Sequence, residues 1–299
     1  MLSIIVSSRD IKLYKALSEN IKKTVGCMYE LIRIENVNKY GICEAYNRGV
    51  SLSQYNTVCF VHEDVLFHSE NWGQKVCQTL QDKTIGLLGI AGQNYKSRVP
   101  STWLAWYSPE NSRALRIIQH TKNTSYYTEE RIHANNIADV AVCDGVWLCT
   151  RKEVVLAHPF DSSTFTKFHF YDIDFSLTVL QNMRVCVTHD VLLEHFSNGT
   201  IDGSWASEAK LFTAKWGKKL PISLSITDKK QIKNIERLNE ESFFVFIIKS
   251  LFTKPFSWQM FSLLKYTVHH PFSILITILS KGYSVVNKRL SIRIKGSTK

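Results

Sequence analysis

The sequence predicts an α/β fold with a mainly parallel central sheet, and two observations carry that expectation. Short β-rich apolar runs alternate with helix-period patterns through the first half of the chain, as a parallel sheet with crossover helices requires. The chain is also long and apolar enough to bury such a sheet. It has 299 residues, 44% of them hydrophobic, with only 13 Gly and 6 Pro, which excludes disordered, collagen-like and disulfide mini-protein classes.

Taken in order, residues 2–8 (LSIIVSS) read as a buried first strand. Asp10 can cap the helix that follows, in which Ile11, Leu13, Tyr14, Leu17 and Ile21 share roughly one face before Gly26 ends it. Residues 29–36 form a second strand, 42–53 a short helix, 57–64 (TVCFVHED) a third strand, 71–82 a helix and 85–92 (IGLLGIAG) a fourth strand. Residues 93–136 lose periodicity and are expected to form an irregular insertion over one rim of the sheet, a kind of segment that commonly carries function. A strand-like stretch over 139–150, a short helix from Lys152, a helix over 172–183 and the strands RVCVTHD and VLLEHF complete the body. No internal repeat is present.

Seven Cys, with no CxxC pair, sit mostly inside apolar runs and read as buried reduced thiols of a cytoplasmic chain. No basic segment precedes the first apolar stretch, so a signal peptide is not expected. The net charge of +11 is unevenly divided: residues 222–299 carry 13 Lys and Arg against 4 Asp and Glu, and no acidic residue follows Glu241. This tail is also rich in aromatic and aliphatic clusters. Its longest uncharged stretch, Tyr266 to Ser280, contains His269, His270 and Pro271 and falls short of the roughly 18–20 apolar residues a spanning helix needs. The expectation is amphipathic helices lying on an anionic membrane surface, with a helical hairpin packed on the body as the alternative. Nucleic acid is not an expected partner, because the tail has no reader motif and the body no basic stripe.

In open α/β sheets ligands gather at the carboxyl ends of strands, and three strand ends here carry polar residues out of keeping with their apolar runs. At His62-Glu63-Asp64 four apolar residues run straight into an imidazole and two carboxylates; Asp64 with a neighbour can hold a divalent cation, or the run is an ordinary acidic strand exit. Asp172 and Asp174 stand at a helix N-terminus, where capping is one reading and a general base another. Glu194-His195 closes VLLEHF, with a structural histidine or a ligand as the alternatives.

The stretches SIIVSSRD, EAYNRGV, VCFVHEDVLFHSENWG, GIAG, VCDGVWLCTRKE, FHFYDIDFSLTVL and THDVLLEHFS, followed by the KW of FTAKWGKKLP, occur in one order over about residues 2–221. On these the chain resembles family 2 glycosyltransferases of the GT-A fold, most closely the streptomycin-biosynthesis hexosyltransferase-like branch. The resemblance implies a Rossmann-like nucleotide-diphospho-sugar transferase domain over 1–221; the charge and apolar pattern of 222–299 add the expectation of a basic amphipathic helical extension, peripheral on the inner face of the cell membrane.

It further implies that the DXD motif falls on His62-Glu63-Asp64, with Asp64 holding a divalent cation (Mn²⁺ or Mg²⁺) against the donor diphosphate. His62 replaces the first Asp and removes one negative charge. The xED motif falls on Tyr171-Asp172, with Tyr171 in place of Glu and Asp172 as catalytic base, and His195 completes the metal shell. Ser8, Arg9 and Glu35, grouped with Asn47 and Glu63, surround the nucleotide sugar, while Asp144 and Gly145 line the sugar and acceptor pocket. Trp103 and Trp106, in the insertion, and Trp147 can stack on sugar faces or pack the core. Lys96 and Arg98, just ahead of them, can meet a diphosphate on the donor or on a lipid carrier, but read more readily as solvated loop charges.

The implied activity is inverting transfer from a nucleotide-diphosphate-sugar donor to a glycan or lipid-linked acceptor, in capsule, LPS or exopolysaccharide assembly. The alternative, which the replacements at His62 and Tyr171 keep open, is a catalytically inactive GT-A-fold protein that binds glycan or nucleotide sugar. A dinucleotide oxidoreductase is disfavoured, since SSRD and no GxGxxG follows the first strand.

Overall fold

The computed structural model describes residues 1–121, 124–197, 199–253, 262–267 and 269. The chain opens with β1 (Leu2–Ser8) and α1 (Ile11–Thr24). Asp10 caps α1, its carboxylate accepting from the Lys12 N–H at 2.7 Å, which satisfies a donor with no partner inside the helix. Gly26 then turns the chain away at φ 68°, where a Cβ would strike Asn71 at 2.2 Å. In order there follow β2 (Tyr29–Glu35), α2 (Ile42–Leu52), β3 (Thr57–Val61), β4 (Val65–Phe67), α3 (Trp72–Thr79), β5 (Ile85–Gly89) and β6 (Ala91–Gln93). Next are β7 (Tyr95–Lys96), β8 (Arg113–His120), β9 (Ser125–Glu130), β10 (Ile137–Asp139), β11 (Val142–Cys143), β12 (Trp147–Arg151) and α4 (Lys152–Ala157). The chain continues through α5 (Tyr171–Leu180), β13 (Arg184–Thr188), β14 (Leu193–His195), α6 (Gly203–Trp216), β15 (Ile222–Ser223) and α7 (Lys229–Thr253).

Seven strands form the main sheet in the order β10-β13-β5-β12-β3-β1-β2. It is mixed, which corrects the mainly parallel expectation. β1 runs parallel to β2 and β3, and β13 parallel to β5. β12 runs against both of its neighbours, and β10 against β13. β12 enters at the carboxyl end of β3, with Trp147 opposite Val61, and runs against it.

Successive side chains of the central strands go to opposite faces. Val58 and Phe60 of β3 join one core with α2, α5 and α6, through residues such as Tyr46, Phe175 and Phe212. Cys59 and Val61 join the other, with Leu17 and Ile21 of α1 and Trp72 and Val76 of α3. Burial on both faces explains why these strands are apolar without alternation. All seven cysteines are free, and Cys43, Cys59, Cys143, Cys149 and Cys186 are buried.

The segment expected to be irregular contributes β8 and β9 to a second sheet. β11-β6-β8-β14-β4 pair in that order, with β9 on β8. The expected strands 85–92 and 139–150 each break between the two sheets, at Ile90 and at Asp144-Gly145. Lys96 is wholly buried, its ammonium donating to Ser101 O at 3.0 Å, Ser101 Oγ at 2.6 Å and Thr102 O at 2.9 Å. Arg98 is likewise engaged, its side chain donating to Leu220 O. These are internal braces and not solvated loop charges.

The second aspartate of Asp172-Ile173-Asp174 is structural. Asp174 is 3% exposed. It accepts from Trp216 Nε1 at 2.7 Å and pairs with Lys215 Nζ at 2.8 Å, which ties α5 to the end of α6. Lys215 also reaches Asp161 at 2.8 Å. Asp174→Ala strands the indole N–H and one side of the lysine, so unfolding stability in denaturant titration is expected to fall by about 2–4 kcal/mol; a loss below about 1 kcal/mol would contradict this role.

α7 lies against the body, with Ile235, Phe243 and Ile247 buried and Glu236 accepting from Tyr95 OH at 2.6 Å. The remaining tail, and with it most of the expected membrane-surface segment, lies outside the described residues. Among the described residues no helix is long and apolar enough to cross a membrane.

Candidate active site

Strand register assembles a cluster at the carboxyl end of β3. His62, Glu63 and Asp64 form the turn between β3 and β4, one in each sheet. β14 pairs with β4 so that His195 stands opposite Val65, and with β8 so that it also stands opposite Gln119. One ligand atom each from His62, Asp64 and His195 then lies within 4.8 Å of the others, with His195 Nε2 at 3.7 Å from Asp64 Oδ1.

The hydrogen bonds around His195 fix which ring nitrogen faces Asp64. The Gln119 amide nitrogen donates to His120 O at 3.0 Å and Ser197 O at 2.7 Å, so the amide oxygen is the atom facing the ring. His195 Nδ1 therefore donates to Gln119 Oε1 at 3.1 Å, which leaves Nε2 as the nitrogen turned toward Asp64. Burial, then the neighbouring His195, pushes the His62 imidazole below its ordinary value, so it is a neutral ring. Two imidazoles and one carboxylate, closely spaced, fit a divalent cation.

Asp172 sits across from this cluster in the first turn of α5. The preceding Phe170 adopts φ 64°, a left-handed conformation an aromatic residue rarely holds. Its surroundings impose it. Phe170 packs on Trp205 and Phe212 of α6 with ring centroids 5.3 and 5.1 Å away, and Glu208 of α6 accepts from the Lys167 and His169 N–H groups at 2.8 and 2.9 Å.

The Gly145 N–H donates to Asp172 Oδ2 at 3.0 Å, and Asp144 Oδ1 accepts from the Val146 N–H at 2.8 Å, stiffening the turn that approaches the carboxylate. Burial and then the charge of Asp144 push Asp172 up to about 7, against the pull of the Ile173 and Gly145 N–H groups. A carboxylate with that value can take and release a proton near neutrality.

The two groups are joined by Tyr171. Its hydroxyl lies 2.8 Å from His62 Nε2 and donates to Gly145 O at 3.0 Å. The two positions that depart from the DXD and xED patterns are thus in contact with each other.

The remaining candidates divide. Ser8 and Glu35 are register partners at the carboxyl edge of β1 and β2, beside exposed Arg9, and Ser8 Oγ accepts from Arg33 Nε at 3.0 Å. Glu63 is engaged at the start of α1, accepting from the Arg9 and Asp10 N–H groups at 3.0–3.2 Å. Asn47 is turned away from a donor-binding role: its amide exchanges two bonds with the Phe160 backbone, at 2.8 and 3.1 Å.

Trp147 is 0% exposed, edge-on to Trp72, and Trp106 packs on Phe243 and Phe246 while its Nε1 donates to Pro100 O. Trp147 is a core residue, which corrects its assignment as a sugar platform, and Trp106 is partly buried with its ring turned to α7. Trp103 is partly buried against the two cores. The exposed aromatic at the site is instead Phe168, 46% exposed with its ring 5.5 Å from that of His62. Sequence reading missed Phe168 and Gln119; only the position of Phe168 beside the Tyr171-Asp172 pair could have suggested it.

Residues 3–205 match the Glycosyltransferase like family. The chain belongs to that family, and membership supports sugar transfer as its class of chemistry. Among solved structures it is similar to S. aureus TarS 1–349 in complex with UDP-GlcNAc, at 11% identity over 89% of this chain and 80% of that one, with a TM-score of 0.52. That likeness shows the GT-A glycosyltransferase fold.

It is also similar to the mannosyltransferase PcManGT from Pyrobaculum calidifontis in complex with GDP-Man and Mn²⁺ (10% identity, 99% of this chain, 79% of that chain, TM-score 0.49). A third similar structure is GalNAc-T7 with UDP, GalNAc and Mn²⁺ (8% identity, 86% of this chain, TM-score 0.49), of which this chain spans 58%. No curated protein sequence matches the chain.

Proposed function

We propose that this chain is an inverting glycosyltransferase that moves a sugar from a nucleotide-diphosphate donor to a glycan or lipid-linked acceptor in surface polysaccharide assembly. The observation that carries the reading is the joining of a cation-binding triad, His62, Asp64 and His195, to a base-like carboxylate, Asp172, through Tyr171 and Gly145 at the strand ends of a glycosyltransferase-family chain.

Asp172 accepts the proton of the acceptor hydroxyl while that oxygen attacks the anomeric carbon from the face opposite the diphosphate. The new C1–O bond forms as the bond from C1 to the phosphate oxygen breaks, and the nucleoside diphosphate leaves with the electron pair. When bound at His62, Asp64 and His195, a divalent cation neutralises the charge that grows on that diphosphate. The chain needs no second carboxylic acid beside the bond, unlike a glycoside hydrolase. Arg9 and Glu35 face the nucleoside, and Asp144 and Gly145 the sugar; Ser8, wholly buried with its hydroxyl accepting from Arg33, braces the strand end and does not reach the donor, which corrects its assignment.

The test is a thermal-shift screen against UDP-, GDP- and dTDP-sugars, each with and without Mn²⁺ or Mg²⁺, with CMP-sugars as the control lacking a diphosphate. A ligand at 100 times its Kd stabilises the native state by about 2.7 kcal/mol. One diphosphate donor is expected to raise Tm by several degrees in the presence of the cation. No shift with any of them, in folded protein, would sink the donor-binding reading.

A further inference from the structure

The single proton of a phenol cannot serve two acceptors, and this settles the tautomer of His62. Tyr171 donates its hydroxyl proton to Gly145 O at 3.0 Å, so the 2.8 Å contact with His62 Nε2 has to be made by a proton on the imidazole. His62 is then protonated at Nε2 and keeps its lone pair on Nδ1. The phenol also packs directly on Gly145. A Cβ built on Gly145 would stand 2.0 Å from the phenol oxygen and 2.4 Å from the ring carbon that bears it. The same glycine donates its N–H to Asp172 at 3.0 Å.

We propose that Tyr171 is a positioning residue that holds His62 as the Nε2–H tautomer, presenting Nδ1 to the divalent cation and linking the cation site to the loop that steadies Asp172. The proposal rests on the reading of His62, Asp64 and His195 as a cation site. It extends the arrangement at His195, where Gln119 fixes the opposite nitrogen and leaves Nε2 toward Asp64. Each imidazole has its own hydrogen-bond partner on the nitrogen that the cation does not use, the second-shell pattern that orients metal-binding histidines.

Long-range ¹H–¹⁵N spectra of the full chain labelled at histidine, recorded without metal and with His62 assigned by H62Q, read the tautomer directly. The Nε2–H form is expected in the wild type, and loss of that fixed preference in Tyr171→Phe. A wild-type Nδ1–H form would overturn the proposal. Titration with Mn²⁺ alone, followed by its EPR signal, is expected to show an affinity about 10–100-fold weaker in Tyr171→Phe, measured well below the Tm of a variant shown to be folded by its cooperative thermal melt. Equal Mn²⁺ affinity in the two proteins would also overturn it. A wild-type chain that binds neither Mn²⁺ nor Mg²⁺ would sink the cation reading itself, a failure distinguishable from that of the Tyr171 bond because the tautomer is read in metal-free protein.

Discussion

Asp172→Asn is expected to slow sugar transfer by about 10²–10⁴-fold while donor affinity stays within about threefold. Asparagine keeps the shape and still accepts from the Gly145 N–H, but it cannot take the acceptor proton. Because Asp172 is raised to about 7, wild-type kcat/KM for the acceptor should fall about tenfold per pH unit below that value and level off above it.

The same shift has a consequence for stability. An acid whose folded value lies above its unfolded value holds its proton in the native state alone between about pH 4 and 7, so stability is lost as pH rises through that range. Relative to wild type, Asp172→Asn should therefore gain stability between pH 4 and pH 8, by about 1–4 kcal/mol. Chemical denaturation at the two pH values checks this. Unchanged transfer in Asp172→Asn, or a rate independent of pH through 7, would remove Asp172 from the role of base.

Asp64→Ala should act at the other end of the site. Asp64 is the sole carboxylate of the triad with His62 and His195, and its loss leaves two imidazole rings and no anionic ligand to hold a dication. Donor affinity in the presence of Mn²⁺ should fall by about 100-fold, while any cation-independent affinity is preserved. Calorimetric titration with and without the cation separates the two. If Asp64→Ala instead abolished turnover with donor binding intact, the roles of Asp64 and Asp172 would have to be exchanged.

Much of this site was legible because its residues interrupt local patterns. Four apolar residues of β3 run into His62-Glu63-Asp64, and Asp172 and His195 stand at other element ends. Asp172 and Asp174 could not be told apart from sequence, because the indole and ammonium that claim Asp174 come from α6, some 40 residues on. The second sheet was missed for a related reason. β9 (SYYTEE) is mostly exposed and owes its strand form to pairing with β8, while β6 and β11 are only two or three residues long.

Lys96 was misread because its cage, Ser101 and Thr102, is built by a turn with no periodic signal. Trp147 was misjudged because the antiparallel return of β12 carries its ring into the core beside Trp72. Tyr171 looked like a loss of function in the motif. In the fold it meets His62, the other departure.

The most direct measurement is acceptor-dependent release of nucleoside diphosphate from the donor selected by the thermal-shift screen, with glycan and lipid-linked extracts as acceptors. Wild-type protein should release nucleoside diphosphate in step with sugar incorporation, with cation required, and Asp172→Asn should bind the same donor yet release it at least about 10²-fold more slowly. Donor bound by folded wild-type protein with no release above that of Asp172→Asn would mean that this glycosyltransferase fold binds nucleotide sugar without transferring it.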